Sequence, residues 1–216
     1  MHTFQERLAN RKKKIEGNLA PQYLKIMHAA TRNLENSGIQ KKVLKVGDHF
    51  PTFSLANKDN ELFQLESFLD KGPLVISFYR GFWCPYCNLD LANLNHYIDD
   101  IKKLGAQLIA ISPEKPEYSK KIIAMQKLDF DILWDQDNMI ADKVGLKFKL
   151  PEDLKILYRD YFNTNLKLYH GDDEWSLPMP ARFILDTNGE IHYAESSADY
   201  TKRPDPDDLM KVLKNV

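Results

Sequence analysis

The chain of 216 residues is poor in cysteine, with only Cys84 and Cys87. That excludes a disulfide-stapled secreted scaffold, which needs several bridges. Two cysteines three residues apart also close too short a loop to remove much unfolded-state entropy. Charge of one sign is lacking too. Thirty basic residues face 31 acidic ones, so no strong field draws the protein to nucleic acid or to an anionic membrane. The one basic cluster, Arg11 to Lys14, reads as a solvated helix face. No apolar run approaches the roughly 20 residues that span a bilayer. The opening stretch, MHTFQERLANRKKK, has no apolar core after its charges. No secretory signal is therefore expected, and the chain is expected in the cytoplasm, where thiols stay reduced. There is no internal repeat and no low-complexity tract. What is present is 43 % hydrophobic residues, enough for a sizeable core in one domain with an appended segment.

The first 40 residues read as two helices. Phe4, Leu8, Ile15 and Leu19 fall near helical spacing, Pro21 interrupts, and Tyr23 to Leu34 resumes the pattern until Ser37-Gly38 stops it. This N-terminal extension, residues 1–43, is expected to pack on the domain or on a partner subunit. Thr52 to Leu55 and Leu62 to Leu65 alternate around a turn-rich stretch, which predicts a hairpin. Leu74 to Tyr79 is a continuous apolar run that suits a strand buried on both faces. Leu91, Leu94, Ile98, Ile101 and Leu104 predict one helix, closed by Gly105. A strand at 108–111, a helix over 117–128 with Ile122, Ile123 and Met125 toward the core, a strand at 131–134 and a short helix over 139–144 follow. This alternation implies right-handed crossovers and a parallel sheet core. Residues 147–178 break the rhythm and read as an insertion with a helix over 152–161. The domain, 44–216, resumes with a strand at 181–185, a turn at Asp186 to Gly189, a strand at 190–194 and a closing helix over 207–216.

The chemistry lies where the buried strand hands over to a helix: Arg80-Gly81-Phe82-Trp83-Cys84-Pro85-Tyr86-Cys87. A cysteine at a helix N-terminus faces unpaired backbone N–H groups and the positive end of the helix dipole, and both favour the thiolate. A second cysteine one turn on is close enough to form a disulfide with it. Pro85 suits the first helical turn, where its missing N–H costs little. Trp83 and Phe82 are expected to shield the pair on one side. Arg80 brings positive charge to the loop, in a direction the sequence does not set. A structural zinc site needs four ligands, and the six histidines show no H-x3–5-H spacing to complete one, so no metal is expected. A C-x-x-C pair at a strand-to-helix junction points to thiol–disulfide redox chemistry.

These residues resemble known families. Cys84-Pro85-Tyr86-Cys87 after Trp83 is similar to the active-site motif of thioredoxin-fold proteins, and the tetrapeptide is that of glutaredoxins. The surroundings resemble the peroxiredoxins, or alkyl hydroperoxide reductase/thiol-specific antioxidant proteins. Val46 to Leu55 is similar to that family's opening hairpin, Ile111-Ser112-Pro113 with Glu117 to its next strand-to-helix step, Leu133 to Leu146 to the segment after it, and Phe183 to Asp186 with Gly189 to its final hairpin. The cysteine segment looks like the subgroup with a thioredoxin-type pair. The resemblance implies an α/β thioredoxin-like fold of peroxiredoxin type, a central mixed sheet flanked by helices. It departs from the family in two places. Cys84 stands where peroxiredoxins keep a threonine, three residues before the attacking cysteine. Pro180 stands where they keep an arginine, and where thioredoxins keep a cis-proline against the pair. Arg182, two positions on and on the same strand face, is the candidate substitute.

The expected activity is thiol-based antioxidant reduction of peroxides or protein disulfides by the Cys84/Cys87 couple. Cys84 is expected as the exposed attacking thiolate and Cys87 as the resolving thiol; the family frame reverses the roles. Arg80, Trp83, Pro85, Pro180 and Arg182 would shape the site. Without the threonine and arginine, peroxide attack is expected to be slow and disulfide exchange more competent. No cofactor is expected. The partners implied are a dithiol reductant such as thioredoxin or glutathione/glutaredoxin, and a second copy in a homodimer. The alternative is a binding module that uses the extension and the aromatics Tyr158, Tyr161, Phe162, Tyr169 and Trp175 of the insertion.

Overall fold

In the computed structural model, which describes residues 2–216, the run Leu74–Phe78 is strand β3, with every residue buried. Before it come helices α1 (Phe4–Gly17) and α2 (Pro21–Asn36), strands β1 (Ser54–Ala56) and β2 (Leu62–Gln64), and the short helix α3 (Leu65–Leu69). After it come α4 (Pro85–Asn95), α5 (Ile98–Lys103), β4 (Gln107–Ser112), α6 (Pro116–Gln126), β5 (Asp131–Trp134) and α7 (Met139–Lys143). Then β6 (Lys147–Lys149), α8 (Glu152–Ile156) with a π-helical turn over Leu157–Tyr161, α9 (Leu166–His170) and β7 (Ser176–Pro178) precede the closing β8 (Ala181–Leu185), β9 (Ile191–Ser196) and α10 (Pro206–Leu213). Seven strands form one mixed sheet in the order β2-β1-β5-β4-β3-β8-β9, with β3, β4 and β5 parallel. Strand β8 runs antiparallel to β3, pairing Ala181 with Phe78 and Leu185 with Leu74.

The two-residue period of the strands makes two cores. Val75, Leu108, Ala110, Ile132 and Ile184 face Leu91, Leu94, Ile101, Ile122 and Leu209 on one side of the sheet. Ile76, Phe78, Ile109, Ile111 and Phe183 face Phe50, Phe53, Phe68 and Ile140 on the other. Helix α1 seals the first core with Phe4 and Leu8. Among the described residues, no helix is long and apolar enough to cross a membrane.

Two expectations need correction. The helix read through Leu104 is two helices: α4 stops at Asn95, whose side chain accepts the Asp129 N–H at 2.8 Å and donates to the Lys127 carbonyl at 3.1 Å. An asparagine that bonds elsewhere in this way competes with helix propagation, and Leu104 ends up exposed. Met125 lies on the solvent side of α6, 76 % exposed, while Ile122 alone of the three named residues is fully buried. Residues 147–178, read as an insertion, are folded in their own right. Strands β6 and β7 pair with each other, Lys147 opposite Pro178. Above them Leu150, Leu154, Leu157, Tyr158, Leu166, Trp175 and Leu177 form a third core, against which Tyr23, Ile26, Met27 and Ala30 of α2 pack. Extension and insertion thus make one structure.

That structure joins the domain at Gly145, which follows α7 with φ +78°, and a Cβ there would lie 2.3 Å from the Lys42 carbonyl oxygen. Both conditions exclude a side chain. Gly145→Ala is expected to cost about 2 kcal/mol, lowering Tm by about 4–8 °C; urea and thermal unfolding measure it, and an unchanged midpoint would show that the junction yields.

Candidate active site

The loop from β3 to α4 is built around Gly81. Its φ is +154°, and a Cβ there would meet the Glu114 carboxylate at 2.7 Å and the Trp83 indole nitrogen at 2.3 Å. The close approach lets Glu114 Oε2 accept the Phe82 N–H at 2.7 Å, while the Asn88 side chain donates to the Phe82 carbonyl at 2.7 Å. Cys84 then caps α4 with an extended backbone, and its Sγ accepts the Cys87 N–H at 3.4 Å. Pro85 follows at the first helical position. Both cysteines are free thiols in this state.

Two buried arginines flank the sulfurs. Arg80 is 2 % exposed. It donates to the Tyr158 hydroxyl and lies over the rings of Tyr200, Trp83 and Tyr158 at 4.3, 5.0 and 5.7 Å. Among the described residues, no carboxylate pairs with it. Arg203, from the segment before α10, donates to Cys87 Sγ at 3.1 Å and to Asp90 Oδ2 at 3.1 Å. Asp90 also accepts from Arg182, which donates to the Pro204 carbonyl at 3.0 Å. Arg182 therefore reaches neither sulfur and acts on the site through Asp90 and Arg203. Nothing in the local sequence announces Arg203. It lies 116 positions from Cys87, and only the return of the chain past β9 brings the two together.

Burial pushes the Cys84 thiol up, but a hydrogen bond from Cys87, the guanidiniums of Arg80 and Arg203 and the Cys87 backbone N–H outweigh it, bringing the group to about 6. Cys87 goes the other way, well above the usual thiol range. Burial, its hydrogen bond to Cys84 and the charge on Cys84 raise it, against Arg203 and Arg80. The two sulfurs share one negative charge, carried on Cys84. Glu114 is raised to about 8 by burial, against the Phe82 N–H, with further upward pressure from Cys84. It is therefore mostly a neutral acid at pH 7.

Cys84 does not lie open to solvent as expected. It is 1 % exposed and lines a cavity of about 290 Å³. Ile15 of α1, Met27 of α2, and Tyr158, Phe162 and Thr164 of the insertion wall that cavity together with Arg80, Trp83 and Tyr200. A second cavity of about 410 Å³ shares Arg80, Tyr158 and Tyr200 and runs between α2 and β6–α8. Cys87 lies behind Cys84, fully buried. Phe82 stacks on Tyr118 at 5.4 Å and does not line the Cys84 cavity. Pro180 is buried beside β8, outside the Cys84 cavity, and is not a cis-proline: no described residue follows a cis peptide bond. Of the insertion's aromatics, Tyr158 and Phe162 face the site, Trp175 fills the third core, Tyr169 packs edge-on to Phe82 at 5.4 Å, and Tyr161 meets Tyr23 at 4.1 Å.

The low thiol value has a measurable consequence. Reducing a disulfide takes up two electrons, with two protons below pH 6 and one above, where Cys84 stays ionised. The reduction potential should therefore fall by about 59 mV per pH unit below pH 6 and by about 30 mV above it. The folded value lies below the 9.0 of a free thiol. The thiolate's contribution to the reduced protein is therefore complete above about pH 9 and is lost as the pH falls through about 6. Arg80→Met should move the break upward by about one unit. A redox titration from pH 4 to 9 measures both, and a single steep slope through pH 8 would rule out the ionised thiol.

The AhpC/TSA family model matches residues 46–194. Peroxiredoxin Bcp of Escherichia coli K12 is 33 % identical over 103 residues, covering 48 % of this chain and 65 % of that protein, so the chain spans just under two thirds of this relative's length. The chloroplastic peroxiredoxin Q of Populus jackii is 29 % identical over 197 residues, covering 89 % of this chain and 81 % of that one. The crystal structure of peroxidoxin BcpB from Mycobacterium tuberculosis has the same fold, with a TM-score of 0.63 at 19 % identity over 80 % of this chain and 98 % of that chain. The family match covers more than half of the chain, including the opening hairpin, the parallel strands and the helix that carries the cysteines, and this protein belongs to the AhpC/TSA family.

Proposed function

We propose that this protein is a thiol peroxidase for small hydroperoxides, with Cys84 as the attacking thiolate and Cys87 as the resolving thiol. The observation that carries the reading is the position of Cys84: an ionised sulfur on the floor of a cavity, with a second sulfur one helical turn behind it. Access favours Cys84 as the attacking group, because Cys87 does not line the cavity. Arg203 places a guanidinium against Cys87, the resolving thiol in this reading.

The chemistry balances without a metal or organic cofactor. Cys84 Sγ⁻ attacks the outer oxygen of the hydroperoxide and breaks the O–O bond. The alkoxide leaves as an alcohol, taking one proton from solvent. Cys84 is now a sulfenic acid. Attack by Cys87 on its sulfur expels water and closes the disulfide. Arg203, 3.1 Å from Cys87 Sγ, favours the ionised form that this second step needs.

The roof over Cys84 argues against a protein disulfide as substrate, since a folded protein cannot bring its sulfur to the bottom of the cavity. Residues 1–43 and 147–178, taken as additions to the family domain, act in this reading as a substrate filter. A working compartment that keeps thiols reduced, such as the cytoplasm, suits the couple.

Stopped-flow mixing of reduced protein with hydrogen peroxide and with cumene hydroperoxide, followed by Trp83 fluorescence, tests the reading. The apolar walls predict that the aromatic hydroperoxide reacts at least as fast as hydrogen peroxide. Cys84→Ser should lose more than about 100-fold in rate, and Cys87→Ser should leave a sulfenic acid that dimedone traps. Full reactivity in Cys84→Ser would assign the attack to Cys87 and overturn the order proposed.

A further inference from the structure

Arg80 is a buried cation with no carboxylate partner, and its Nε has no hydrogen-bond acceptor at all. Burying an unpaired charge is expensive. In the reduced protein the Cys84 thiolate is the anion that offsets it. Oxidation removes that anion: once the sulfurs are joined, Arg80 faces only the neutral hydroxyl of Tyr158 and three aromatic rings. Arg80 also stands where the two cavities meet, lining both. The oxidised site is therefore an apolar, two-chambered pocket with one uncompensated positive charge at its waist and a disulfide on its floor.

The disulfide must be reduced before the next cycle, and only Cys84 is reachable. A thioredoxin-like protein would have to place its own sulfur against Cys84 beneath α2 and the insertion. Because the two cysteines lie one turn apart, closing the disulfide gives the roof no reason to open. A small thiol passes where a protein does not. The walls, including Ile15, Met27 and Phe162, favour an apolar body, and Arg80 favours an anionic end.

We propose that the reductant of this protein is a low-molecular-weight thiol with an apolar body and a carboxylate, held by Arg80 between the two cavities. The proposal rests on the peroxidase reading for its place in the cycle, and names what regenerates the pair. The ionised thiol of the reductant attacks Cys84 Sγ. The Cys84–Cys87 bond breaks, and Cys87 leaves beside Arg203 and takes a proton. A second thiol, in the same molecule or another, attacks the mixed disulfide and releases Cys84 as thiolate. Two thiols are oxidised to one disulfide, two electrons enter the pair, and the remaining proton goes to solvent. The returning thiolate offsets Arg80 again and weakens its hold on the carboxylate, which favours product release.

Dihydrolipoate and dihydrolipoamide serve as probes, because they share a dithiol and an apolar chain and differ in the carboxylate. The full chain is first oxidised with diamide, so that the test does not depend on peroxide chemistry, and re-reduction is followed by Trp83 fluorescence and by mass. The acid is expected to act at least tenfold faster than the amide at pH 7, and both faster than thioredoxin with its reductase at equal thiol concentration. Arg80→Gln should bring the acid-to-amide ratio to about one, and Arg80→Lys, which keeps the charge, should restore part of it. An equal rate for acid and amide in the native protein, or faster reduction by thioredoxin, overturns the proposal. A pair that diamide closes but peroxide does not would count against the peroxidase reading alone.

Discussion

The chemistry of this protein depends on an imbalance of buried charge. Arg80, Arg182 and Arg203 are all fully buried, and Asp90 is the one carboxylate that hydrogen-bonds to any of them. Glu114, which accepts the Phe82 N–H in the same loop, is raised to about 8 by its burial and contributes little negative charge at pH 7. A thiolate on Cys84 is thus the second anion of the cluster. The helix N-terminus adds its partial positive charge through the Cys87 N–H, which donates to Cys84 Sγ at 3.4 Å. The hydrogen bond from Cys87 and the guanidiniums of Arg80 and Arg203, which act at short range in a dry site, lower the Cys84 thiol together.

The same burial that strengthens these charges requires a roof. In water the attraction between Arg80 and Cys84 would be screened to a fraction of its strength. Helix α2 and the insertion exclude that water with Met27, Tyr158 and Phe162. The third core that holds them in place is therefore part of the active site's electrostatics as well as of its shape. Helix α2 has no fully buried residue of its own. It is held by a half-buried face against the insertion.

Much of the fold was legible along the chain. The buried strand β3, the hairpin of β1 and β2, the parallel order of β3, β4 and β5, and the hairpin of β8 and β9 all follow from runs and alternations of apolar residues. So does the position of Cys84 at a helix start, which the strand, the glycine and Pro85 announce together. The break in the helix after Asn95 was not legible, because it depends on Asn95 reaching residues 127 and 129. Met125 was misread because a short helix with three apolar residues does not fix which of them faces inward. The aromatics of the insertion read first as cover for the core and second as an interface, and the structure divides them among the third core, the cavity over Cys84 and contacts with Tyr23 and Phe82.

By itself, then, the sequence determined the couple: two cysteines one helical turn apart at the end of a buried strand, in a chain with the family's strand order. Tertiary structure decided everything that tunes it. Which arginines meet the sulfurs, which sulfur carries the charge and what covers it all depend on contacts between residues up to 116 positions apart. The reason is physical. Periodicity and capping are local and leave a trace within a few residues, whereas a buried charge is set by whatever the folded chain brings within a few ångströms, at any separation.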